Sequence, residues 1–252
     1  MSLSYREIED VLMQGLRLYH YPIAVTFFST DEEVSYFKQV TRHVVPAKPL
    51  TFCQWEISAR MEGKTVVAEK KRLGCCSAKI GFGWEDIGED DIHSLMDAYT
   101  DFEAAKMILS SKPRLPRDSI KAISVGPLGK AVIPPHVIHL YCDNMQSHAL
   151  AVAYMKAMKI HPLRPMVCES SSACGGSIYC HQEQTFNLSP CCKGSYNSGK
   201  TERGEVNVFI PATHLESTVN CLVDTVLNNE EETFPGPDIC KNCALITFHE
   251  QN

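Results

Sequence analysis

Two cysteine doublets are the residues best placed for chemistry: Cys75-Cys76 in GCCSAKIGFG and Cys191-Cys192 in SPCCKGS. In extended chain, adjacent side chains point to opposite faces, so one thiol of a doublet can reach a ligand while the other packs inward. A vicinal disulfide needs a Cα separation that neighbouring trans residues do not supply. Each doublet has a lone cysteine upstream at matching distance: Cys53 lies 22 residues before Cys75, and Cys168 lies 23 before Cys191. Cys53, one of Cys75/Cys76, Cys168 and one of Cys191/Cys192 make four thiolates, the common ligand set of a 4Fe–4S cluster and of a structural zinc. The expected metal ligands are Cys53, Cys76, Cys168 and Cys192, with Cys75 and Cys191 as the other doublet members. Zinc usually draws its ligands from C-x-x-C pairs, and only Cys240-Lys-Asn-Cys243 has that spacing. Iron–sulfur clusters accept scattered thiolates more readily, so a cluster is the expectation and zinc the alternative.

Further cysteines form a secondary set. Cys168, Cys174 and Cys180 recur at six-residue steps around ACGGS, which reads either as a loop wrapping a cluster or as a flexible turn. Cys240 and Cys243 could form a redox pair or half a zinc site. Cys142 and Cys221 sit in apolar patterns and read as buried packing. Other chemistry is sparse. The chain has no GxxxxGK, HExxH or GxSxG. His136 and His139 are three apart in a strand-like run and face opposite ways, which favours structural roles. Asp90, Asp91, Asp101 and Glu103 read as solvated carboxylates on or capping a helix.

The bulk properties narrow the class. The 252 residues include 24 Lys and Arg against 30 Asp and Glu, a net charge of −6. No basic run is dense enough for nucleic acid or an anionic membrane, and no segment reaches the ~18 apolar residues of a membrane span. The start, MSLSYREIED, lacks the apolar stretch of a secretory signal. These features predict a cytoplasmic protein. Twelve cysteines in such a setting point to metal, redox chemistry or buried thiols rather than staples, and a habitat with little oxygen would tolerate them best. Three functions stay open. The first is a cluster protein in electron transfer, redox sensing or a reductive reaction, with an unidentified redox partner. The second is a metal-free small-ligand-binding or regulatory protein. The third is a thiol-based enzyme with one fast-reacting cysteine. Homo-oligomerisation is left open as well.

The positioning elements are legible in outline. Ser4-Tyr-Arg-Glu7 is a capping box, followed by Ile8, Val11, Leu12, Leu16 and Tyr19 on one helical face. IAVTFF, residues 23–28, reads as a buried strand, and 31–39 as a short helix. Residues 52–69 suggest a hairpin turning at Glu62-Gly63-Lys64, and 90–109 one helix. SSKPRLPRDS, 110–119, reads as a linker. AISVGPL, HVIHLYC and VNVFIP read as strands. A helix carries Leu150, Ala153, Tyr154, Ala157 and Met158, residues 167–196 read as loop, and Thr213-His-Leu-Glu216 as a second capping box. Glu230-Glu-Glu232 reads as a solvated run. The interleaving predicts an α/β or α+β fold, a mixed sheet with helical cover. The first cysteines are 115 apart and the doublets 116, which raises an internal duplication: halves 1–112 and 120–252, the second with the Cys-rich loop, packed as one unit.

YPIAVTFF, FCQ at 52–54, the first doublet with SAKIGFG, and DFEAA at 101–105 resemble the domain of unknown function 169 family. VGPL at 125–128, Asn144-Met-Gln146, CCKG at 191–194 and FIPATHLE extend the resemblance from about residue 5 to residue 228. The resemblance implies a prokaryotic protein, frequent in anaerobes and archaea, with no settled activity. It also implies a retained cysteine at Cys53, at one of Cys75/Cys76, at Cys168 and at one of Cys191/Cys192. The second member of each doublet, Cys174, Cys180 and the Cys240/Cys243 pair depart from that pattern.

Overall fold

The computed structural model describes residues 3–94, 96 and 101–224. Cys240, Cys243 and the acidic run at 230–232 lie outside the described residues. The first helix, α1 (Tyr5–Gly15), begins as its capping box requires, with Ser4 and Glu7 satisfying each other's backbone N–H groups. It stops at Gly15, and Arg17 turns left-handed. Leu16 is therefore buried beyond the helix, while Tyr19 is exposed rather than inward. Strand β1 (Ile23–Phe28) is buried throughout, and α2 (Asp31–Val40) follows from a Thr30/Glu33 capping box.

The expected hairpin over 52–69 is instead a helix and a strand, α3 (Phe52–Arg60) and β2 (Val66–Glu69). Thr51 and Gln54 form a capping box at its start. Phe52, Trp55 and Ala59, all buried, keep the three-four spacing of a helix face, which overrides the local alternation. Next come α4 (Cys76–Gly81), α5 (Glu89–His93) and α6 (Phe102–Ser111), so the single helix expected over 90–109 is at least two pieces. Strands β3 (Ala122–Pro127) and β4 (Val137–Cys142) and helix α7 (Asn144–Met158) fall where the pattern predicts.

Residues 167–196 are largely not loop. They hold α8 (Ser172–Glu183), β5 (Asn187–Pro190) and the start of α9 (Lys193–Ser198). Helix α8 is buried on nearly every side, so no polar face marks its period. Its Gly176 lies against the Phe209 ring, where a Cβ has no room. The chain closes its sheet with β6 (Val206–Pro211) and continues into α10 (Ala212–Leu222). The second capping box does not form: Thr213 and Glu216 lie inside α10, where Thr213 Oγ1 donates to Gln184 and Glu216 accepts from the Leu3 N–H.

The six strands order as β2-β3-β1-β4-β6-β5, and every pair is antiparallel. The fold is thus a helix-covered antiparallel sheet. One face packs on α1, α7 and α10 through Leu12, Leu150 and Val219; the other packs on α3, α4 and α8 through Trp55, Phe82 and Ile178. No helix among the described residues is long and apolar enough to cross a membrane.

The sheet has an internal repetition. From β1 the chain runs strand, two helices, strand, short helix, strand, with α5 and α6 added before β3; from β4 it runs the same course to β6. β1 and β4 pair at the centre, β3 and β6 flank them, and β2 and β5 form the edges. Helix α3 packs on β1, β2 and β3 as α8 packs on β4, β5 and β6. The division falls between β3 and β4. The segment 110–119 does not separate two sheets, because β3, beyond it, inserts between β2 and β1.

One consequence for stability lies beside β1. His136 Nδ1 accepts a hydrogen bond from the Phe27 N–H at 3.1 Å, and its ring meets that of His181 edge-on at 4.9 Å. Burial, then the neighbouring His181, depresses His136 from its ordinary 6.5 to about 4, with Glu33 opposing. Burial lowers His181 as well. The unfolded chain therefore binds more protons between about pH 6.5 and pH 4, so stability falls as the pH drops through that window and levels below it. In urea titrations at stepped pH, His136→Phe should flatten this acid limb.

Candidate functional site

The thiols gather on the face covered by α3, α4 and α8, at the starts of four helices. Cys53 is the second residue of α3. Cys75 precedes α4, and Cys192 precedes α9. Cys174 is the third residue of α8. Cys53, Cys75 and Cys191 pack against the same core cluster that contains Cys174. Cys174 and Cys53 each feel the charge of both Cys75 and Cys192. Ser195 Oγ, in the first turn of α9, lies 3.9 Å from Cys53 Sγ and 3.6 Å from Cys192 Sγ, so those sulfurs are no farther apart than these distances combined. The internal repetition relates α3 to α8 and α4 to α9. Each repeat thus supplies one thiol from the first turn of its long helix and one from the lead into its short helix.

The environments differ. Burial drives Cys53 and Cys174 well above the ordinary thiol range. Burial, aided by Glu205, pushes Cys191 up to about 12. Burial would raise Cys192 too, but hydrogen bonds from Ser172 and Ser195 outweigh it and hold this thiol below its ordinary value. Ser172 Oγ also accepts the Cys192 N–H at 3.0 Å and meets Ser195 Oγ at 3.3 Å. That lowering favours the thiolate form of Cys192.

The first doublet separates as extended chain demands. Cys75 packs inward, whereas Cys76, expected as a metal ligand, is exposed beside Asp91. Cys168 sits in the loop before α8, half-buried, its sulfur 3.0 Å from Met166 Sδ. It feels Cys192 of the group, and Lys112 beside it. Cys180 is buried farther along α8, and Cys142 is buried on the opposite face of the sheet; both are packing residues here. A narrow crevice beside Cys174 is lined by Ser77, Lys112 and Ser171. Among the described residues, no three His, Cys, Asp or Glu side chains converge tightly enough to hold a metal ion.

A buried polar network adjoins the thiols, and sequence reasoning missed it. Glu56, one turn beyond Cys53 on α3, is fully buried. Its carboxylate meets His139 Nδ1 at 2.6 Å and accepts the Tyr141 hydroxyl at 2.8 Å. Arg60, one turn farther, lays its guanidinium 4.1 Å over the Tyr141 ring, donates to the carbonyls of Gly199 and Lys200, and pairs with Glu205. The available signal was Glu56 and Arg60 at four-residue spacing in FCQWEISAR, hidden by the hairpin reading.

No curated protein and no solved structure matches the chain. A family model described as uncharacterised ArCR matches residues 11–220. The chain belongs to the domain of unknown function 169 family.

Proposed function

We propose that Cys53, Cys75, Cys174 and Cys192 hold an iron–sulfur cluster between the two repeats, serving electron transfer, redox sensing or a reductive reaction. The observation that supports this reading is the placement of four thiols at four separate helix starts, two from each repeat, with the Cys53 and Cys192 sulfurs both beside Ser195 Oγ. Zinc is the alternative: a tetrahedral ion with bonds of about 2.3 Å needs four sulfurs about 3.8 Å apart. A cluster is itself several ångströms across and suits a looser ring of sulfurs. The low-lying Cys192 thiol, the Ser172 and Ser195 hydroxyls and the polar network suit a negatively charged centre that exchanges electrons. Its partner would be a one-electron donor or acceptor.

Protein purified without oxygen should absorb broadly in the visible and contain iron and acid-labile sulfide in similar amounts. Colourless protein with stoichiometric zinc would support the structural-zinc alternative. The Cys192 environment favours one further reading, a thiol-based enzyme: metal-free protein with Cys192 alkylated far faster than the other cysteines at neutral pH would replace the cluster by that.

A further inference from the structure

Across the sheet from the thiols, the covered face is interrupted by hydroxyls. Alternate residues of β1 and β3 point to this face. Ala24 belongs to the apolar cluster beneath α1, while Phe28 and Ala122 belong to the one beneath α2. Between them stand Thr26 and Ser124, cross-strand partners that are both buried. Thr65, buried and two residues before Val67, adds a third hydroxyl. It occupies the space over Gly126, where a Cβ would sit 2.6 Å from Thr65 Oγ1. Apolar side chains here would have fused the two clusters, whereas buried hydroxyls call for a hydrogen-bonding partner.

A small recess over this strip shares Thr65 and Lys130 with a cleft of about 570 Å³, a volume within the range of small-molecule sites. One wall is the chain leaving α2. It is held in place because Val44 donates to the Thr65 carbonyl at 2.8 Å and accepts from the Val67 N–H at 3.0 Å, and His43 Nδ1 donates to the Thr41 carbonyl at 2.9 Å. Val40, Val44 and Val132 line the cleft yet are exposed. Three cations, Arg42, Lys64 and Lys130, face one carboxylate, Glu62, in a chain of net charge −6. Lys64 takes Glu62 at 2.9 Å, and Lys130 is fixed on the Gly63 carbonyl at 2.6 Å. Arg42 meets no carboxylate among the described residues. Thr41 also lines the cleft and is only 8% exposed, and its Oγ1 is buried with no hydrogen-bond partner among the described residues.

We propose that this cleft binds a small organic anion, a carboxylate or phosphate ester with a short aliphatic body. The Arg42 guanidinium forks onto the head group, and Lys64 and Lys130 add positive charge around it. The Thr41 hydroxyl donates to the ligand, and the three valines carry its body. Cleft and thiols lie on opposite faces of the sheet, so the site is the same whether or not the thiols hold a centre.

Calorimetric titration of the full chain, in a buffer free of carboxylate and phosphate, tests this with hexanoate and hexyl phosphate. At least one of them should fill a single saturable site, and hexan-1-ol at the same concentrations should not; the tighter of the two anions names the head group. Arg42→Gln, at an exposed position, should weaken the binding by about tenfold or more, the scale of one charge-assisted hydrogen bond. Thr41→Val should weaken it by about threefold. The same change should raise the melting temperature of the ligand-free protein, because a buried hydroxyl that serves only a ligand is a cost to the empty fold. No saturable binding of either anion, equal binding of hexan-1-ol, or undiminished binding by Arg42→Gln would overturn the proposal.

Discussion

Cys192→Ser, purified without oxygen, is expected to lose its bound iron by on the order of tenfold and to unfold at a lower temperature than the parent. Cys53→Ser, Cys75→Ser and Cys174→Ser should follow it. Cys76→Ser should not, because that sulfur is exposed and turned to Asp91. Cys168→Ser should also retain iron, since Cys168 lies in the loop before α8 with its sulfur on Met166. The paired outcomes separate this ligand set from one containing Cys76 and Cys168. Iron content and visible absorption measure the ligand loss, and a thermal melt in parallel measures the stability loss. The two should move together because the four thiols come from both repeats. A centre bound by all of them ties α3 and α4 to α8 and α9, and binding free energy then adds to folding free energy. Iron retained in all four variants would defeat the assignment outright.

Much of the scaffold was legible in the chain, and what escaped has physical causes. The buried strands at 23–28 and 206–211 and the capped starts of α1 and α2 announce themselves through apolar runs and Ser/Thr-to-Glu spacing. Helix α3 was hidden because Cys53, Gln54, Glu56 and Ser58 interrupt its apolar face with side chains that are polar or reactive yet half-buried or buried. A helix that presents Cys53, Glu56 and Arg60 along its length cannot look amphipathic. Helix α8 escaped for a related reason, as Gly176 lets it lie close on β6 and its burial erases any polar face. The thiol group itself was half visible. Matching spacings picked out both doublets and Cys53, and extended geometry predicted that a doublet would split between inward and outward. Which member turns inward depends on where the short helix begins, and residue spacing does not carry that. His139 read as structural because its partners, Glu56 and Asn207, lie 83 and 68 residues away.

Arg60→Ala should destabilise the fold by about 3–5 kcal/mol, the usual cost of removing one partner from a buried ionic network. The guanidinium is wholly enclosed, with bonds of 2.9 Å to the Gly199 carbonyl and 2.8 Å to that of Lys200. Those carbonyls stand just past the end of α9, where the helix leaves acceptors unsatisfied and a cation is favoured. Removing the side chain strands both acceptors, takes from Glu205 its guanidinium partner, and uncovers the Tyr141 ring. The effect should reach the thiols as well. Gly199 approaches the Cys53 Cβ so closely that even a methyl group there would sit 3.1 Å away, so the segment Arg60 anchors is the one that wedges Cys192 and Ser195 against Cys53. Arg60→Lys keeps a cation but not the fork that spans two carbonyls, and should recover only part of the loss. Urea denaturation of the three proteins gives the stabilities, and iron content gives the state of the site. Arg60→Ala with wild-type stability would mean that the end of α9 is held by something other than this side chain. Wild-type stability lost without any fall in iron would mean that the thiol site does not depend on that end.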